Sequence, residues 1–158
     1  MGRYLKELRR EYGRLSWLIP ISREEWDFIN KRSIYGVTRG HRAIKRIIEG
    51  DLLVFYVPRT KGGDLGGKIV SVYRVASKWS ENYEPMFRGE REAQYPIRAS
   101  LELVKSGIAD FWKLVPLLSF VKQKSNPSFY LMGTPANMNR PIPERDLKII
   151  IEDMKQSS

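Results

Sequence analysis

The chain has 158 residues, a single histidine, no cysteine, and 28 Lys plus Arg against 18 Asp plus Glu, for a net charge of +10. That length supports one domain with a genuine core; the missing thiols exclude disulfides, thiolate nucleophiles and Cys-based zinc sites, and one imidazole cannot build a His-rich metal site. No uncharged apolar run approaches the roughly 20 residues needed to span a bilayer, and the start is charged rather than signal-like, so a cytoplasmic protein with no membrane partner is expected.

Residues 3–15 carry Tyr4, Leu5, Leu8, Tyr12 and Leu15 near helical spacing, with Arg3, Lys6, Arg9, Arg10 and Arg14 outnumbering Glu7 and Glu11. Residues 1–15 are therefore expected to form a basic helical extension, either packed on the domain or lying along phosphates. Residues 17–21 read as a strand that Pro20 places at an edge or a bulge. Ser22 followed by Glu25 is a capping box, opening a helix through about Lys31 that turns Trp26 and Ile29 or Asn30 toward the core. A short strand at 34–37 precedes a cationic helical turn at about 40–48. Gly50-Asp51 then turns the chain into 52–57, a continuous apolar run of the kind found in buried strands.

Four glycines within 60–67 mark a hairpin loop, and no GK[ST] follows to make it a phosphate cradle. Residues 68–76 alternate as the returning strand, whereas 77–94 is irregular and studded with Trp79, Tyr83 and Phe87. Alternation resumes over 95–104, with Ile97, Ala99, Leu101 and Leu103 on one face and Arg98 on the other. Helical pieces are expected at about 108–121, a turn at 125–127 and a short strand at 129–132. Pro143 and Glu144 open a closing amphipathic helix carrying Leu147, Ile150, Ile151 and Met154. This order predicts an α+β fold on a curved, mostly antiparallel sheet or small barrel, not a parallel doubly wound one.

The most informative stretch is 34–56. Tyr35 and Gly36 pair a flat apolar ring with a position that admits close approach. The cations Arg39, His41 (when protonated), Arg42, Lys45 and Arg46 follow at once. A stacking surface beside phosphate-binding charge suits a nucleobase reader, because phosphate contacts position a strand and base contacts specify it. No nucleophile with a base, paired acids or metal set stands out, so a non-catalytic module with no cofactor is expected. Two alternatives stay open: a protein-interaction module with an acidic partner, and a small nucleic-acid-processing enzyme drawing carboxylates from distant segments.

The order of these features resembles the EVE domain. It runs from the strand at Trp17 and the helix with Trp26, through Ile34-Tyr35-Gly36-Val37, the cationic stretch with His41, Gly50-Asp51 and the apolar run to Tyr56, to 68–75 and Tyr95-Pro96-Ile97-Arg98. Tyr35 stands where that family usually has Trp, which keeps an aromatic ring. The resemblance covers about residues 16–154, so an EVE domain over 16–158 follows the extension. It implies a PUA-like pseudobarrel of mostly antiparallel strands surrounded by helices, related to the YTH readers of methylated adenine. It further implies RNA or DNA carrying a modified base as partner; the oligomeric state is left open by the sequence, with a monomer favoured. By position Tyr35 would be one wall of an aromatic cage, and a second wall would come from the stretch with Trp79, Tyr83 and Phe87. Gly36 and Val37 would supply backbone donors and acceptors, with Trp17, Tyr56 and Tyr95 as further base-binding candidates. Arg39, His41, Arg42, Lys45, Lys68 and Arg98 would meet flanking phosphates. Truncating Tyr35 to Ala would then weaken base binding by about 1–3 kcal/mol with the fold intact.

Overall fold

The structure is a computed structural model that describes residues 2–59, 63–122, 124–125 and 140–157. Helix α1 (Gly2–Tyr12) leads into strand β1 (Ser16–Pro20), helix α2 (Arg23–Arg32), strand β2 (Ile34–Val37) and the single turn α3 (Ala43–Arg46). Strands β3 (Leu52–Val57), β4 (Lys68–Val75), the two-residue β5 (Ser80–Glu81) and β6 (Ile97–Asp110) follow, then the short α4 (Phe111–Leu114) and the long α5 (Glu144–Ser157). The strands pair in the order β1-β3-β4-β6-β2, with β5 also on β6. Only β1–β3 is parallel among these pairings; the rest are antiparallel.

The expected capping box is present: Ser22 accepts from the Glu25 amide and Glu25 accepts from the Ser22 amide, so two otherwise orphaned donors at the α2 terminus are satisfied. The apolar run in β3 is explained by burial on both faces. Leu53, Phe55 and Val57 join a core with Trp17, Ile19, Ile29 and Tyr35. Leu52, Val54 and Tyr56 join a second core under α4 and α5, with Phe111, Leu118, Leu147, Ile150 and Met154.

The 14-residue β6 ties the sheet together. Its first residues pair with β2, Tyr35 opposite Ala99, and its remainder pairs with β4 as far as Lys68 opposite Asp110. Register shifts opposite Val72/Tyr73 and Ile69/Ser71 place extra residues in β6, and such bulges bend a strand and deepen its twist. The result is a curled half-barrel. Gly107 sits in the second bulge at φ +142, where an added Cβ would lie 2.8 Å from the Met154 carbonyl oxygen of α5.

Two expectations change here. Residues 108–110 continue the strand instead of starting a helix, because the ladder to β4 holds them. Leu103 is 52% exposed although it keeps register with the buried Leu101, the first bulge lying just beyond it. The expected strand at 129–132 lies outside the described residues, as do Asn126 and Pro127 of the expected turn.

Candidate functional site

Strand β2 presents Tyr35 to the first core. The ring is 6% exposed, 5.5 Å from Phe55 and 6.2 Å from Trp79 by centroid. Burial pushes its phenol well above the ordinary tyrosine range, so it stays neutral at physiological pH. Trp79 is only half-buried and is fixed by its indole N–H, which donates to the Ile47 carbonyl at 2.9 Å.

Gly36 explains the other half of the site. A Cβ there would lie 2.8 Å from the Met86 sulfur and 3.0 Å from both the Cβ and the carbonyl oxygen of Tyr95. The missing side chain therefore lets the chain's own 86–95 segment close onto β2. Within that segment Phe87 and Tyr95 are half-buried and meet edge to face at 6.0 Å, and Phe28 of α2 packs against Phe87. Two ring groups thus flank β2: Tyr35 with Trp79 in the first core, and Phe87 with Tyr95, beside the nearly buried Met86, over the opposite face at Gly36.

Arg98 holds this arrangement. It is 6% exposed, its Nε donates to the Tyr95 carbonyl at 3.0 Å, and its Nη2 donates to the Glu84 carbonyl. Burial lowers its pKa from the usual arginine value. The guanidinium therefore pins both ends of the 84–95 segment and is no phosphate contact, a correction to the sequence-based expectation. Val37 is likewise buried.

Beyond Val37 the surface opens. Thr38, Arg39, Tyr83, Arg91, Gln94 and Pro96 line an open hollow of about 600 Å³. The Arg39 guanidinium lies 5.1 Å over the Tyr83 ring and pairs with Glu81 at 3.2 Å. A second open hollow, of about 440 Å³, is lined by Gly40, His41, Arg42, Ile44, Lys45 and Arg46. So His41, Arg42 and Lys45 share one hollow beyond the exit of β2, and Arg39 lines the other.

His41 also has a local task, since its Nδ1 accepts the Ala43 amide at 3.0 Å at the start of α3. Burial lowers its pKa below the ordinary histidine value of about 6.5. Protonation would also block the accepting nitrogen. The folded state therefore binds fewer protons than the unfolded chain between that value and the lowered one, so stability falls as pH drops through about 6.5 and is unaffected above it. Urea unfolding at about pH 7.5 and 5.5 should show a smaller acid loss for His41→Asn than for the parent chain; equal losses would refute this.

Three other expected site residues are elsewhere. Trp17 is 0% exposed in the first core, with its indole N–H donating to Asp51 at 3.1 Å, and Tyr56 is 1% exposed in the second core against Phe111. Neither ring offers a face to a ligand. Lys68 pairs with Asp110 at 3.1 Å at the far end of β6 from Tyr35, roughly 30 Å of strand away.

One anchor has no counterpart among the sequence-based expectations. Asp51 is fully buried and accepts five hydrogen bonds: two from Arg9 at 2.7 and 2.8 Å, and one each from the Leu15 amide, the Ile48 amide and the Trp17 indole. Arg9 also donates to the Arg46 carbonyl at 2.7 Å. Helix α1 is thereby locked to both the core and α3. The available signal was a carboxylate placed directly against a wholly apolar strand.

Known proteins share this architecture. Residues 15–153 match the EVE domain. A UPF0310 protein of Saccharolobus solfataricus is 36% identical over 144 residues, spanning 89% of this chain and 95% of that protein. The YTH domain of the Zygosaccharomyces rouxii MRB1 protein, solved in complex with N6-methyladenosine RNA, superposes at TM-score 0.60 with 15% identity, over 92% of this chain and 89% of that one. The Pho92 YTH domain in complex with m6A gives 0.57 with 17% identity, over 91% and 87%. At these identities the structural likeness establishes the fold, the expected PUA-like pseudobarrel.

Proposed function

We propose that this chain, which belongs to the EVE domain family, is a non-catalytic module that binds RNA or DNA and seats one modified base against the rings around Gly36. The observation that carries this reading is the pair of half-buried rings Phe87 and Tyr95, with Met86, over the glycine backbone at Gly36, beside a hollow edged by Arg39 and Arg91. The likeness to YTH domains solved with N6-methyladenosine RNA and with m6A supports it, as does a net charge of +10, which attracts polyanions.

In this reading Met86 is the movable part. An unbranched thioether changes rotamer at low cost, and its withdrawal opens the part of this face that Met86 fills, while Tyr95 stays against the strand. A base entering there would exchange water for ring faces, worth about 1–3 kcal/mol for stacking. A methyl group on the base adds apolar contact and carries little hydration to lose, so a dry nest prefers the methylated form. The base reaches the site from a single strand or as a flipped nucleotide.

Tryptophan fluorescence titrations test this with single-stranded RNA and DNA carrying one modified base or none, across a panel that includes N6-methyladenine. A modified strand should bind more tightly than its unmodified counterpart. Phe87→Ala should erase that preference while keeping unmodified binding, and Arg39→Ala with Arg91→Ala should weaken both strands alike. Equal affinity for every modified and unmodified strand, unchanged by Phe87→Ala, would remove the base site.

A further inference from the structure

Helix α1 precedes the region matched to the EVE domain, which starts at residue 15. Its charges are sorted around its axis. At 3.6 residues per turn, Arg3, Lys6 and Arg10 fall within an arc of roughly 60° that points away from the body of the protein. Leu5 and Leu8 lie on the opposite side and pack against the first core. Glu7 and Glu11 occupy one flank. The other flank carries Arg9, which reaches Asp51 and the Arg46 carbonyl of α3.

An amphipathic helix that needed only a solvated face would have no reason to separate its charges in this way. We infer that α1 and α3 form one rigid phosphate track, on which Arg3, Lys6 and Arg10 extend the cationic hollow at Arg42 and Lys45 along a bound single strand. This rests on the nucleic-acid reading above and adds to it the path of the chain beyond the base. The Arg9 clamp is what makes the track rigid, since it holds the two helices at a fixed separation. The stripe rises about 10 Å along the helix, enough for two or three phosphates. Arg3 is shared with Glu7, an exposed pair at 3.8 Å that a phosphate readily displaces.

The test compares unmodified single-stranded RNA of about 5 and about 15 nucleotides, lengths that bracket a typical site. Arg3, Lys6 and Arg10 are all exposed, so their joint replacement by Gln should leave the thermal midpoint in place. For the longer RNA, the slope of log affinity against log salt should become shallower by about 2, at roughly 0.7 for each phosphate that is no longer neutralised. The short RNA should show no change. Glu11→Gln with Glu152→Gln raises the net charge away from Arg3, Lys6 and Arg10 and should leave both slopes alone; if it steepens them as much as the first variant flattens them, net charge alone governs binding and the track is refuted. An unchanged slope in the triple variant, with parental binding intact, also refutes the track. A parent chain with no affinity for either RNA removes the underlying reading instead.

Discussion

Replacing Asp51 by Ala should lower the unfolding free energy by about 3–5 kcal/mol, the range for removing one partner from a buried ion pair. In a chain of this size each kcal/mol shifts the thermal midpoint by roughly 2–4 °C, so a drop of about 6–20 °C is expected. The cause is the set of donors left behind. Without the carboxylate, the Leu15 and Ile48 amides, the Trp17 indole and the Arg9 guanidinium all lose this acceptor, and the buried Leu15 amide and Trp17 indole have little water to replace it. Arg9→Ala should cost less than Asp51→Ala, because the carboxylate keeps three N–H donors. Distance alone does not decide the matter. Arg74–Glu102 has the same 2.7 Å separation as Arg9–Asp51, yet its side chains are 38% and 63% exposed against 21% and 1%. The exposed pair should contribute about 1 kcal/mol or less. Denaturant unfolding of both alanine variants and their double mutant, with Arg74→Ala as control, measures the difference; similar losses for Asp51→Ala and Arg74→Ala would overturn the assignment.

Much of the architecture was legible because local signals agreed with the tertiary outcome. Ser22 and Glu25 announced α2 by a mechanism that needs nothing outside the helix, and the run 52–57 announced a strand buried on both sides. The failures came where pairing overrides pattern. Residues 105–110 hold no alternation that a reader would recognise as a strand, yet the β4 ladder and the bulge at Gly107 keep them extended under α5. Asp51 shows the same limit: its turn is visible in the sequence, but its partner Arg9 lies 42 residues away on a different element.

The candidate site divides along similar lines. The cations of 41–45 are local in sequence, so the sequence alone was enough to group them. The rings required knowledge of which strand faces which core. Trp17 and Tyr56 sit on adjacent parallel strands and look equivalent as aromatics, yet each is sealed into a different core. Arg98 looked like a free cation because its acceptors are main-chain carbonyls, which carry no sequence signature.

Tyr35 is where the fold and the proposed site compete for one ring, and its substitutions should separate the two. Tyr35→Ala should cost about 3–5 kcal/mol of stability, as for other large aromatics truncated in a core. The ring is 6% exposed and wedged between Phe55 and Trp79, so the expectation from sequence, that truncation spares the fold, does not hold. Loss of binding in that variant would therefore say nothing about a cage. Tyr35→Phe keeps the π face and most of the volume, and should keep both stability and any preference for a modified base. Tyr35→Leu fills part of the space without a π face. It should cost less stability than Ala but lose about 1–3 kcal/mol of modified-base affinity, the amount stacking contributes. Circular dichroism melts first establish a temperature at which all three variants are folded, and titrations are then run there. If Phe and Leu variants bind the modified strand equally well, Tyr35 is a core residue alone, and any discrimination must come from Phe87 and Tyr95.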